Sequence, residues 1–439
     1  SAAEGYPYPV KAVIYYMGAP TYSLPAGHTN IEILRDPKKI PLVVANDILI
    51  GETSMYADYI FPDVSNLERW EMAGSQNMMP IKVMPVRNPA VAPLVEEVSV
   101  FGQKMPLSLE ALLLGIAEKL ELPGVGPGGL GDAGDFTHPD HFYLKMVANL
   151  AFGDKKPDPA KNEPGEILPD ADDEEERIFT EARRFLPPSV FDLERWRASA
   201  GDEWWRKVIY VLNRGGRFQA YEKAYDGAKL KNKFGKQINI YQEKTAGVKN
   251  ALTGEHYPAL PVYLPGPFDL SGKPIEDSAE YDLRLITNRV IYHTKARTVT
   301  NYWLLALLPE NSVQMNSQDA RRLGLKDGDT VKIASATNPA GEWDFGPGLG
   351  KRLISGVVKV IEGLRPGVIA FSLGHGHWAS GASDMIIDDM QIKGDARRLK
   401  GIHANAAMRT DPIITNMCLT DPVGASAVFY DTMVKIVKI

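Results

Sequence analysis

Only one cysteine, Cys418, occurs in 439 residues. A lone thiol excludes an internal disulfide, a cysteine zinc site and an iron–sulfur cluster held by this chain alone. No run approaches eighteen apolar residues, so no membrane-spanning helix is expected. No signal peptide is legible at residue 1, and a chain opening on Ser1 reads as a processed protein or an excised fragment. Positive charge is not in excess: 49 Lys and Arg face 55 Asp and Glu, a net charge of −6. No nucleic-acid partner is therefore expected. The signatures GxSxG, HExxH, CxxC and GxxxxGK[ST] are all missing. The eight histidines are scattered apart from His375 and His377.

What is present is globular. Hydrophobic residues make up 44% and charged residues 24%, enough for a sizeable core, and the length suits two or three domains. Residues 10–18, 40–49 and 57–63 read as strands, with a possible helix over 29–38. Continuous apolar strands separated by crossovers predict a Rossmann-like parallel sheet within residues 1–100. Ligands of such sheets sit beyond the carboxyl ends of strands, where Gly18 and Asp47 fall. Residues 101–280 read as a helical and irregular connection. In it, 104–122 is helical, and the Gly/Pro loop after it leads into no strand–turn–helix unit, so a phosphate loop is rejected. The acidic, Pro-rich stretch 156–177 is expected to be a solvated insertion. From 281 to 439, short strands at close spacing ("YDLRLITNR", "SVQMN", "DTVKIAS", "SGVVKVIE", "GVIAFSL") predict a compact β-barrel.

Three loops of that barrel stand out. Residues 287–300 concentrate Thr287, Asn288, Arg289, His293, Thr294, Arg297 and Thr298 after a strand. Hydroxyls, amides and guanidinium forks suit a phosphate or pyrophosphate. "GHGHW" (374–378) joins Gly374 and Gly376, which permit close backbone approach, to His375, His377 and Trp378. On extended backbone both histidine rings would share one face. A metal pair would still need further ligands, with His403 the one candidate nearby, and no metal site is predicted. The third loop, 415–426, carries Asn416. Three such loops on one barrel point to one extended ligand rather than a catalytic triad.

These segments resemble the dimethyl-sulfoxide-reductase family of molybdenum enzymes. "MNSQDARRLGLKDGDTVKIAS" (315–335) is similar to its molybdopterin-dinucleotide-binding domain, preceded by the Thr287–Thr298 loop and followed by Asn416, Asp421 and Pro422. "ANDILIGETSMYADYIFPDVSNLERWE" (45–71) and "YYMGAPTYSLP" (15–25) are similar to two further family segments. Within the family the likeness is strongest to tetrathionate-reducing catalytic subunits, then to arsenate-respiring ones. The resemblance implies a double-psi-type barrel over 281–439. It also implies a bis(molybdopterin guanine dinucleotide) molybdenum cofactor, a 4Fe-4S cluster and metal ligand outside this chain, and a small oxyanion substrate. A membrane-anchor subunit, an iron–sulfur electron-transfer subunit, plus a periplasmic or extracytoplasmic location, are implied as well. In this reading Asp47 would accept from guanine, the Thr287–Thr298 loop would bind pterin and pyrophosphate, and Gly374–Trp378 with Asn416 would contact pterin. Gly18, Glu52 and Thr53 would lie beside the dinucleotide. Ala19 stands where the family has Asn, and a basic residue often found near the C-terminus is not obvious at Asp431. This chain alone is expected to hold no cofactor and to turn over no substrate. A nucleotide-binding or scaffold module without redox chemistry is the alternative from another class.

Overall fold

The computed structural model describes residues 2–72, 81–231, 239–251, 253–263, 265–346, 350–421 and 423–439. Pro422 lies outside the described residues. The chain divides into two compact units: Ser1–Ile60 with Asn239–Ile439, and Phe61–Ile238. The divisions expected near 100 and 280 therefore fall near 60 and 238.

In the first unit, β1 (Val13–Tyr16) and β2 (Val43–Asp47) pair in parallel, with Val13 opposite Val43 and Tyr16 opposite Asn46. Helix α1 (Thr29–Arg35) lies in the crossover and buries Ile31 and Leu34, three residues apart on one face. β3 (Tyr59–Pro62) borders β2. The parallel sheet stops there, which corrects the expectation of a Rossmann-like sheet through residue 100. The strands that follow pair as antiparallel ribbons instead: β4 (Glu71–Met72) with β5 (Val83–Arg87), and β6 (Glu97–Val100) with β7 (Gln103–Pro106). The turn explains the last ribbon. Phe101 and Gly102 have φ of 49° and 72°, the two-residue geometry that reverses a strand at once.

The second unit is mostly helical: α2 (Leu109–Lys119), α3 (Pro139–Phe152), α4 (Asp173–Glu181), α5 (Leu193–Ala200) and α6 (Asp202–Asn213). Leu144, Phe179, Trp196, Trp205 and Val208 are at its centre, each 2% exposed or less. Asp140 is buried among them. It accepts from Trp70 Nε1 (2.9 Å), Trp196 Nε1 (2.8 Å) and Arg195 Nε and Nη2 (3.0 and 2.9 Å). The acidic stretch 156–177 is not all solvated loop. Asp172 and Glu175 form a reciprocal cap that starts α4, and Arg206 and Lys207 of α6 pair with Asp173 and Asp170. Strand β8 (Gly216–Phe218) pairs with β5.

The barrel completes the first unit. Its strands are β9 (Leu283–Asn288), β10 (Val313–Met315), β11 (Thr330–Ser335), β12 (Ser355–Val360), β13 (Val368–Ser372) and β14 (Thr432–Lys438). They close in the order β9-β13-β10-β12-β11-β14. β9/β13 and β10/β12 are parallel, and the remaining pairs are antiparallel. Alternate residues, among them Leu283, Leu285, Val331, Ile333, Ile369 and Phe371, fill the interior and are at most 1% exposed.

Candidate functional site

Parallel neighbours release their following loops at the same rim. β9 and β13 are in register, Asn288 opposite Ser372, so loops 289–298 and 373–380 start side by side. Leu373 N donates to Asn288 O at 3.2 Å. Gly374 has φ of 100°, and a Cβ there would lie 2.5 Å from Thr294 O. Gly376 has φ of 71°, and its Cβ would lie 2.7 Å from His403 N. Both positions need glycine for backbone geometry and for contact with a neighbouring loop.

Gly376 also separates the histidines. Backbone at φ of 71° is not extended, so the two rings do not share a face. His377 turns to Glu52 and Tyr22, with Nδ1 at 2.8 Å from Glu52 Oε1. His375 turns to His293, ring centroids 4.7 Å apart, and both rings place Nε2 at 3.1 Å from Leu308 O. Among the described residues no group of three or more His, Cys, Asp or Glu could hold a metal ion. No helix among them is long and apolar enough to cross a membrane.

The main chain of residues 375–380 is almost fully accounted for. Tyr22 Oη donates to His375 O at 2.7 Å. Gly376 N donates to Lys400 O at 2.9 Å and Ser380 N to Ile50 O at 2.8 Å. Trp378 N and Ala379 N donate to Glu52 Oε1 at 3.2 and 3.0 Å, and Ser380 Oγ to Glu52 Oε2 at 3.3 Å. Arg352 donates to Gly376 O and His377 O at 3.4 and 2.9 Å, and Arg398 to Ser380 O at 3.1 Å. Beside this loop Tyr22 is sandwiched between His377 and His403, at centroid distances of 4.2 and 3.7 Å and interplanar angles of 11° and 5°. Trp343 continues the stack on His403, and its Nε1 donates to His403 O at 2.7 Å.

Burial sets the electrostatics. It pushes His403 down to about 3 and His375 down to about 4, so both rings are neutral. It also pushes the Tyr22 hydroxyl well above its usual range. Burial acts upward on Glu52, but the charge and hydrogen bond of His377 and the Ala379 amide outweigh it. The carboxyl is held below the usual carboxylate range.

A second constellation ties loop 289–298 to the strand ends of the parallel sheet. Arg297 reaches both oxygens of buried Asp47, at the end of β2, and the carbonyl of Met17, just before Gly18. Thr298 Oγ1 accepts from Thr294 N at 2.9 Å and lies 3.1 Å from His293 Nδ1. Thr287 and Asn288 are half-buried, while Arg289 and Thr294 are exposed.

The structure therefore brings Gly18, Asp47, Glu52 and Thr53 together with the two barrel loops. Glu52 and Thr53 are internal struts: Thr21 Oγ1 donates to Glu52 O at 2.7 Å and meets Thr53 Oγ1 at 2.8 Å. His375, His377 and Trp378 are 0%, 0% and 6% exposed and pack on protein groups. Asn416 lines an open cleft of about 670 Å³ with His28, Glu32, Asp344 and Lys351. Asp431 pairs with Arg284 at 2.9 Å. Sequence reasoning missed Tyr22, Asn311 and Arg352 as parts of this site, and considered His403 only as a further ligand for a metal pair. Asn311 bridges Ile402, accepting from its N at 2.7 Å and donating to its O at 2.9 Å. Only Tyr22 carried a signal, because it sits inside the quoted stretch 15–25.

Residues 283–416 match the family described as "Molydopterin dinucleotide binding domain". The selenate reductase of Mesobacillus selenatarsenatis has a subunit 42% identical over 440 residues, covering 100% of this chain and 41% of that protein. The tetrathionate reductase of Salmonella typhimurium has one 32% identical over 449 residues, covering 100% of this chain and 40% of that protein. The solved structure of acetylene hydratase from Pelobacter acetylenicus superposes with a TM-score of 0.51 at 16% identity, over 100% of this chain and 45% of that one, a likeness of fold alone. The chain spans about two fifths of the length of these curated relatives. A closed barrel whose paired loops meet the ends of a parallel sheet, a matching domain model and end-to-end similarity to two reductases agree: the chain carries a molydopterin dinucleotide binding domain and is homologous along its whole length to selenate and tetrathionate reductase subunits.

Proposed function

We propose that this chain is the cofactor-binding C-terminal portion of a catalytic subunit that reduces a chalcogen oxyanion. Selenate is the first substrate of this reading and tetrathionate the second, following the 42% and 32% identities. The observation that carries it is the joining of loops 289–298 and 373–380 on one rim, with Arg297 linking them to Asp47 and Met17.

The residues fit a bis(molybdopterin guanine dinucleotide). Asn288 Oδ1 is buried with no partner among the described residues, an acceptor that wants a donor such as a pterin amino group. Arg289 and Thr294 face solvent beside it in the chain and offer a fork and a hydroxyl to pyrophosphate. The Asp47 carboxylate matches the paired N–H donors of guanine. Seating guanine there takes Asp47 from Arg297 and releases that guanidinium for phosphate. When bound, the group supplies two-electron transfer at molybdenum. This chain's part is to bind, orient and shield it: the glycine loop and its buried rings exclude water behind it. The iron–sulfur cluster, the metal's protein ligand, the electron-transfer and membrane-anchor partners and an extracytoplasmic location belong to the same proposal.

The test is metal and nucleotide analysis of the purified full-length gene product, followed by oxyanion-dependent oxidation of a reduced viologen. One molybdenum and two guanine nucleotides per polypeptide, with selenate turned over faster than tetrathionate, is the expected result. A folded full-length protein lacking both would overturn the reading, and faster tetrathionate reduction would reverse the order of substrates.

A further inference from the structure

The polar main chain of a buried loop is fixed only when its N–H groups find acceptors and its carbonyls find donors. In the loop after β13 these two demands are met by opposite charges from different parts of the chain. Glu52, from the segment after β2, takes the N–H side: Trp378 N, Ala379 N and the His377 ring. Arg352 takes the carbonyl side. It lies on the strand 351–353, hairpin-paired with 342–344. Its Nη1 serves Gly376 O and His377 O, while its Nη2 serves Leu399 O and Gly401 O at the start of the segment that carries His403. No carboxylate among the described residues pairs with this guanidinium. One planar fork thus staples two loops through four carbonyls, a task a lysine ammonium cannot reproduce.

We propose that Arg352 is a positioning residue for the cofactor: with Glu52 it sets the shape of residues 376–380 before the molybdopterin dinucleotide arrives. This rests on the reading that the glycine loop borders that cofactor. Arg352 is remote in sequence from every residue the family resemblance assigns, and its role comes from its four acceptors. The cation does not neutralise a substrate charge. It offsets the carbonyl dipoles of Gly376, His377, Leu399 and Gly401.

The test uses the full-length holoenzyme and its Arg352→Met and Arg352→Lys variants, with Lys359→Met, a distant exposed barrel position, as control. Three quantities are read: hydrogen exchange of the peptide containing 374–380, molybdenum per folded molecule, and the Mo(V) electron paramagnetic resonance spectrum. Arg352→Met should exchange this peptide roughly tenfold faster, and Arg352→Lys should fall between it and wild type. Molybdenum retention should drop in the same order, and the loaded fraction should show an altered Mo(V) signal, which a loss of stability alone would not produce. If the methionine variant does not fold, the lysine variant carries the test. Wild-type exchange and an unchanged Mo(V) signal in the lysine variant would overturn the proposal. Faster loop exchange in a protein whose wild type holds no molybdenum would support the staple while rejecting the cofactor reading.

Discussion

Glu52→Ala tests the internal logic of the site most directly. The substitution leaves His377 Nδ1, Trp378 N and Ala379 N without their acceptor, in a place where Glu52 is 1% exposed. Each stranded buried donor costs about 1–3 kcal/mol. Removing the carboxylate also removes its own burial cost. The net loss is therefore about 3–5 kcal/mol, the range for deleting one partner of a buried ion pair. At about 2–4 °C per kcal/mol for a unit of a few hundred residues, the melting temperature should fall by roughly 6–20 °C. Glu52→Gln keeps a carbonyl oxygen for the same donors and should lose less than half as much. The assay is thermal unfolding of the full-length protein by circular dichroism at several pH values. The carboxyl sits below its usual value of 4.5 in the folded state, so its contribution is complete above that value and disappears as pH falls through the folded one. The difference between wild type and Glu52→Gln should shrink over the same window. An alanine variant melting within about 2 °C of wild type at neutral pH, or a glutamine variant as unstable as alanine, would refute the reasoning.

Other consequences are equally accessible. Three neutral histidines, His403 at about 3 and His375 and His28 at about 4, lie below their usual 6.5 because burial disfavours the charged ring. The unfolded chain then binds more protons between pH 6.5 and 4, so the unfolding free energy from urea titrations should fall steadily on acidification, by up to about 1.4 kcal/mol per pH unit for each ring; a flat free energy would reject neutral burial. Asp140→Asn removes the charge that receives Arg195 and two indoles, and should cost about 3–5 kcal/mol in chemical denaturation. Gly376→Ala sets a Cβ 2.7 Å from His403 N at φ of 71°, and should lower soluble yield and melting temperature, whereas Gly363→Ala, with open space around it, should not. Asp47→Asn should lower guanine nucleotide content per folded molecule of the purified full-length protein about tenfold, because a neutral amide matches the guanine donors with one oxygen only.

How far the fold was legible depended on the range of the interactions. β1, β2, α1 and five barrel strands followed from local apolar patterning and turn residues. The sixth strand, β14, went unread although it is the longest of the six, seven residues, and both its partner strands lie far upstream. The antiparallel ribbon of β6 and β7 turned on two residues, Phe101 and Gly102, whose positive φ no periodicity displays. In the candidate site, the unusual composition of 374–378 stood out, but its contacts are set by partners that spacing cannot reveal. Glu52 and His377 stand 325 positions apart. Arg352 carried no signal, since the carbonyls that define its contacts belong to other loops.

That separation also orders events in time. A ribosome adding about 5–20 residues per second needs roughly 16–65 seconds to travel from Glu52 to His377. Throughout that interval the first sixty residues have neither the loop that takes up their carboxylate nor the strands that close the barrel. The segment 61–238 has its own core and emerges complete in the meantime. Nascent chains should therefore carry residues 1–60 without their partner strands and loops while the segment that follows them is already folded, a client for a holdase until Thr432–Lys438 closes the barrel.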